Sequence, residues 1–252
     1  MFIDVHCHLE MLGDVEKIID NAREKGVGKI VAAGTDVKTN RFALEKSEKY
    51  EEIECVLGIY PDDALKMTDS DIDKEIEFIR ENREKILGIG EVGMDFKNTL
   101  DEKGRKRREE IFRKFVSLAL DLNVPLIIHS REAERECVGI LESMGAKKVV
   151  MHSFFGDMDL VKKIMKNGWS LSIPTCCVKT DWFWGVIDFV DLSLLLCETD
   201  SPYMHPEGRK ARKKNEPANV VASYGKISEI KKLDLRDVEK VIEGNYKALF
   251  GI

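Results

Sequence analysis

The chain has 252 residues, and 40 Lys+Arg against 46 Asp+Glu give it a formal net charge of −6. With 43% apolar and 8% aromatic residues it can bury a sizeable core, which excludes a disordered chain and a collagen-like repeat. No apolar stretch approaches the roughly 20 residues of a membrane helix, and Met1–His6 lacks a basic segment leading into an apolar one, so the expectation is a cytoplasmic protein without a signal peptide.

Short runs rich in Val, Ile and Leu alternate with amphipathic stretches from one end to the other. In chain order the pattern predicts strand Phe2–Cys7 and helix Asp14–Lys25, then strand Lys29–Ala33 and helix Asn40–Tyr50. Strand Ile53–Ile59 precedes helix Asp71–Arg83, and strand Ile86–Glu91 precedes helix Arg105–Leu122. Three more pairs follow: Pro125–His129 with Glu132–Met144, Lys148–His152 with Asp157–Asn167, and Trp169–Ile173 with Asp181–Phe189. Strand Leu194–Glu198 and helices Pro217–Lys231 and Leu235–Phe250 close the series. Eight strand–helix units at this length fit a (β/α)8 TIM barrel in one domain spanning 1–252, with a doubly wound open sheet as the competitor. Six cysteines without a C-x-x-C pair read as buried free thiols in a reducing compartment.

The histidines carry the strongest signal. Four of the five in the chain lie at or beside the carboxyl end of a predicted strand: His6 and His8, His129, and His152. Residues two apart on a strand face the same side, so His6 and His8 can share one metal ion. A barrel gathers all its strand ends into one ring, which turns four separate histidines into a single constellation. Glu91, among the glycines of Gly88–Asp95, and Asp200, in Glu198-Thr199-Asp200-Ser201-Pro202, join the ring by the same logic. Six N/O ligands exceed the needs of one tetrahedral ion; two divalent ions bridged by a carboxylate account for the number. Imidazoles favour Zn or Mn, and shared carboxylates also allow Mg.

These segments form a resemblance. Asp4-Val5-His6-Cys7-His8-Leu9, Gly90–Asp95, His129-Ser130-Arg131, His152-Ser153-Phe154-Phe155-Gly156, Glu198–Pro202 and Asn215-Glu216-Pro217 resemble, in order, the signature series of the TatD family of metal-dependent hydrolases, many of them deoxyribonucleases. The resemblance implies that His6, His8 and Asp200 hold one ion, that His129 and His152 hold the other, and that Glu91 bridges them. It also implies a water deprotonated between the ions, with Asp200 as general base alongside Glu91. Where the family commonly has G-x-H-P-H, this chain reads Gly58-Ile59-Tyr60-Pro61-Asp62, so Tyr60 and Asp62 stand at positions that face substrate. Ser153 stands where a cysteine is common.

The charge distribution bears on the substrate. Lys103–Arg108 and Arg209–Lys214 each carry five cations in six residues; without these ten, 30 basic and 46 acidic residues leave −16. Both clusters follow strands and are expected on the catalytic rim, where Arg209, Lys210, Arg212 and Lys213 would meet a nucleic-acid backbone. The alternative is a solvated helix face, with Glu102, Glu109 and Glu110 pairing with the first cluster. Arg131 is read either as a phosphate contact or as a partner of Glu132 or Glu134, and Asp4 either as an acceptor orienting His6 or as a barrel-floor hydrogen bond. Trp182–Trp184 and Phe154-Phe155 can stack on a base or pack helices. The expected activity is hydrolysis of DNA with two divalent cations. The alternatives are an amide, ester or lactone hydrolase of small molecules, and a non-catalytic nucleic-acid-binding module with structural metals.

Overall fold

The computed structural model describes residues 1–97, 101–208 and 211–252. Eight parallel strands form one sheet in the order of the chain: β1 (Phe2–Cys7), β2 (Val27–Ala33), β3 (Ile53–Leu57), β4 (Gly88–Asp95), β5 (Leu126–Arg131), β6 (Val149–His152), β7 (Ser170–Pro174) and β8 (Leu195–Glu198). The ring closes between β8 and β1. Cys7 and Ser201 form a parallel bridge, His8 N–H donates to Ser201 O at 2.8 Å, and Asp200 N–H donates to His6 O at 2.9 Å. The barrel expectation holds, and the open sheet is excluded.

Ten α-helices are described around the strands: α1 (Val15–Glu24), α2 (Val37–Lys49), α3 (Pro61–Ala64), α4 (Asp69–Glu81), α5 (Glu102–Leu122), α6 (Glu134–Met144), α7 (Met158–Lys166), α8 (Asp181–Phe189), α9 (Val221–Lys231) and α10 (Leu235–Phe250). Their starts follow from local chemistry. Asp36 and Thr39 build a capping box on α2, Thr68 and Asp71 one on α4, and Asp14, Asp101, Asp157 and Asp234 cap α1, α5, α7 and α10. Most of the longer helices turn an apolar stripe inward. On α7 that stripe is Leu160, Val161 and Ile164, each contributing about 1.5–3 kcal/mol by leaving water. Tyr224 of α9, fully buried, accepts from Ile3 N–H at 3.0 Å and so fastens the last helices to β1. All six cysteines are buried and free.

The ends of β4 and β5 differ from the sequence expectation, and both differences shape the site. β4 continues past Glu91 to Asp95, and β5 continues past His129 to Arg131; the two run paired to Asp95↔Arg131. Gly93 lies just beyond the predicted strand, and what it permits is a close approach to β5. A Cβ on Gly93, at φ +145°, would lie 1.9 Å from His129 O. Glu91 is therefore held within a strand, and Arg131 is a strand residue. β3 ends at Leu57, two residues early, because Pro61 opens the short α3. α2 begins three residues early at its capping box.

Candidate metal centre

Every predicted ligand arrives at the carboxyl-end mouth of the barrel. His6 Nε2 lies 3.5 Å from Glu91 Oε2 and 3.7 Å from Asp200 Oδ1, and His8 Nε2 lies 3.5 Å and 3.3 Å from the same two atoms. His152 Nε2 is 3.6 Å from Glu91 Oε1, and its ring stacks on His6 at 4.0 Å between centroids. Ligand atoms of His6, His8 and Asp200 fall within 4.8 Å of one another, and so do those of His6, Glu91 and His152. His129 sits in neither triplet; its Nδ1 contacts Glu91 Oε1 at 2.6 Å instead.

The donor atoms fit a divalent cation. His6, His8, Glu91, His152 and Asp200 are all buried, yet His6 Nδ1 and Nε2, His8 Nδ1 and Glu91 Oε2 have no hydrogen-bond partner. Buried polar atoms are seldom left so, and His6 Nε2 and Glu91 Oε2 face each other across 3.5 Å, room for an ion between them. Atoms bound at about 2.1 Å to one tetrahedral ion stand roughly 3.4 Å apart, and the imidazole–carboxylate separations are 3.3–3.7 Å.

Electrostatics point the same way. Burial would raise the Glu91 carboxyl, but the charge and hydrogen bond of His129, with the His6 and His152 imidazoles close by, hold it well below the ordinary range. Burial would lower His8 and His152; Asp200 and Glu91 lift His8 to about 9, and Glu198 and Asp200 lift His152 to about 10. His6, facing the positive His152, falls below its ordinary value, with burial the larger cause. Negative charge is concentrated where cations would sit, and protons take part of their place.

A second ring of partners orients the ligands, and most of it lies outside what the sequence predicts. Glu198 is fully buried and accepts from His152 Nδ1 at 3.0 Å, Ser153 N–H at 2.9 Å, Ser153 Oγ at 2.7 Å and Ser172 Oγ at 2.5 Å. That fixes the His152 proton on Nδ1 and leaves Nε2 facing Glu91. Asp95, also buried, accepts from Tyr60 Oη at 2.8 Å, and its Oδ2 lies 3.1 Å from His129 Nε2 and 2.5 Å from Arg131. Asn215 ties the loop after β8 by donating to Thr199 O at 2.8 Å and Tyr203 O at 2.7 Å. Asp4 touches no imidazole and does not sit at the barrel floor: it accepts from Thr199 N–H at 2.8 Å, Thr199 Oγ1 at 2.5 Å and His6 N–H at 3.3 Å, tying β1 to the turn after β8. Arg131 pairs with Asp95 and leaves Glu132 and Glu134 aside, while its other end stays 44% exposed at the mouth.

The first basic cluster is largely committed within the fold. Arg108 is buried and ion-paired to Asp62, Arg107 reaches Asp69 at 2.7 Å, and Arg105 lies over the Phe96 ring at 4.6 Å. The acids that hold the cluster come from α3 and α4, not from Glu102, Glu109 and Glu110 as expected, apart from a 4.0 Å approach of Arg107 to Glu110. The Asp62 carboxylate thus fastens α3 to α5. Asp62→Ala is expected to cost about 2–3 kcal/mol by stranding a buried guanidinium. Asp63→Ala, which removes an exposed pair with Lys66, should cost little. Equal urea midpoints for the two variants would refute this assignment. In the second cluster Arg212 and Lys213 are exposed; Arg209 and Lys210 lie outside the described residues. Phe154 and Phe183 are core residues, and Trp182 donates to Phe154 O at 3.0 Å, so most of the expected stacking aromatics pack helices.

A parallel eight-stranded barrel with buried imidazoles and carboxylates converging at its carboxyl-end mouth defines a metal-dependent hydrolase of the TIM-barrel type. The family model described as TatD related DNase matches residues 3–251, and the chain belongs to that family. It is 36% identical to an uncharacterised metal-dependent hydrolase of Methanocaldococcus jannaschii over 97% of this chain and 94% of that one. It is 28% identical to the human deoxyribonuclease TATDN3, covering 98% and 94% of the two chains. The crystal structure of YjjV, a TatD homologue from Escherichia coli, superposes with a TM-score of 0.90 at 22% identity, covering 100% and 98%. Among the described residues no helix is long and apolar enough to cross a membrane.

Proposed function

We propose that this hydrolase cleaves phosphodiester bonds of DNA in the cytoplasm, with two divalent cations, Zn, Mg or Mn, held by His6, His8, Glu91, His129, His152 and Asp200. The observation that carries the reading is the set of buried imidazole and carboxylate atoms without hydrogen-bond partners. The substrate reading draws on the family's description as DNases and on the cations at the mouth. Bound cations supply Lewis-acid polarisation of a phosphoryl oxygen and make water acidic enough to attack near neutral pH. The chain's own groups do the rest. Asp200 accepts the attacking water's proton and returns it to the leaving oxygen, so one P–O bond forms, one breaks, and the products are an alcohol and a phosphomonoester. Glu91 holds the two halves of the cluster together. Asp95 keeps His129 oriented and braces Arg131, which with Tyr60 faces the phosphate. Burial, first, and the Asp95 hydrogen bond push the Tyr60 hydroxyl far above its ordinary value, so it stays a neutral donor.

Hydrolysis of labelled single- and double-stranded DNA, RNA and a carboxyl-ester panel by protein loaded with Zn, Mg or Mn in turn tests bond, polymer and ion together. Turnover of the esters alone would replace the nuclease reading by a small-molecule hydrolase. Replacing Arg209, Lys210, Arg212, Lys213 and Lys214 by Ser is expected to raise KM for DNA. It should also flatten the plot of log KM against log salt by about 0.7–0.9 for each phosphate that is no longer neutralised. An unchanged slope would make the cluster an ordinary surface.

A further inference from the structure

We infer that Tyr203, with Met11 beside it, is the ledge on which an unpaired nucleobase next to the scissile phosphate stacks. The inference rests on the DNA reading above and names the group that receives the base. Tyr203 belongs to the turn that carries Asp200: its N–H donates to Asp200 O at 2.8 Å, and Asn215 holds its carbonyl. The ring meets His8 edge-on, 6.1 Å between centroids, so it flanks the metal cluster directly. Its side chain is 54% exposed, so a face of the ring is open beside the cluster.

Tyr203 does not stand alone. Its hydroxyl lies 3.6 Å from Met11 Sδ, and Met11 is itself 40% exposed, so the loops after β1 and β8 build one apolar surface beside His8. Lys214 Nζ donates to Met11 O at 2.8 Å, which sets one cation of the exposed Arg212–Lys214 run against that surface. An aromatic face flanked by a row of cations is how proteins hold single-stranded nucleic acid without reading its sequence: the ring takes the base and the cations take the backbone. The other exposed rings among the described residues lack this setting: Phe189 ends α8, away from the strand ends that carry the site. Trp184 lies under Lys226, and Phe155 leans edge-on against the buried Phe183. A base that stacks on Tyr203 has left its own duplex, so the ledge admits single strands or frayed ends.

The test compares wild type with Tyr203→Ala and Tyr203→Phe. The substrates are one single-stranded oligodeoxynucleotide and a series in which each position in turn is a tetrahydrofuran abasic residue, with the metal-loaded enzyme throughout. For wild type, one abasic position adjoining the cut should raise KM about 10-fold or more. Tyr203→Ala should show that rise on the intact oligonucleotide and no further rise when the base is removed. Tyr203→Phe, which keeps the ring face, should regain the sensitivity to that base. Penalties of Tyr203→Ala and base removal that multiply at every position, or a Tyr203→Ala enzyme with wild-type KM, would overturn the ledge while leaving the nuclease reading intact. A wild-type enzyme that cuts none of these oligonucleotides would overturn both.

Discussion

Asp200→Asn is expected to lower turnover of DNA by about a thousandfold or more while the protein still takes up metal. The Asp200 carboxylate is buried at the mouth, 3.3 Å from His8 and 3.7 Å from His6. Burial alone would raise it, but the hydrogen bond to His8 and the charge of His152 hold it below the ordinary range, so it is ionised and able to accept a proton at neutral pH. The amide keeps the shape and one ligating oxygen yet cannot take that proton. His6, His8, Glu91 and His152 remain, so metal content should drop less than turnover does. The readouts are metal stoichiometry by elemental analysis and kcat on the oligonucleotide. Near-normal kcat in a metal-loaded Asp200→Asn protein would remove Asp200 from the proton path.

Glu198→Gln should weaken metal binding by about 10–100-fold although Glu198 touches no ion. Its two oxygens receive the His152 imidazole, the Ser153 amide and the hydroxyls of Ser153 and Ser172. A carboxylate is all acceptor, whereas a glutamine turns an NH2 group against donors in a sealed pocket. The cost to folding should be about 2–3 kcal/mol, or roughly 4–10 °C in Tm for a chain of this size. His152 would also lose the partner that keeps its proton on Nδ1 and its Nε2 available. Calorimetric titration with the metal separates the two effects: lower Tm with unchanged affinity would make Glu198 a packing residue only.

Much of this is legible in the chain itself, and the division has a physical basis. The eight strands announce themselves because each is a short β-branched run between turn residues. Strand ends of a barrel share one mouth, which makes His6, His8, His129 and His152 readable as a group. Glu198 stands two residues before Asp200, yet nothing in its neighbours tells that it meets His152 across 46 positions. The pairing of Asp95 with Arg131 is hidden for a related reason: the predicted strands stop at Glu91 and His129, and only the pairing of β4 with β5 reveals that both persist. The cations of Lys103–Arg108 form a run in sequence, but a run does not disclose that Asp62 and Asp69, far upstream, claim two of them. Tyr203 cannot be picked out from the chain because exposure beside His8 is a property of the closed ring alone.

The bond from Asp200 N–H to His6 O joins the first strand of the barrel to the turn after its last. Both residues belong to the metal site proposed above, and their donor atoms stand 3.7 Å apart across the junction between the first strand and the last. During synthesis, six emerging strands can present His6, His8, Glu91, His129 and His152, but the pocket stays one carboxylate short until residue 200 leaves the ribosome. A prematurely terminated product is therefore expected to be disarmed: whatever it retains of the scaffold, it lacks the carboxylate to which we assign the proton transfer.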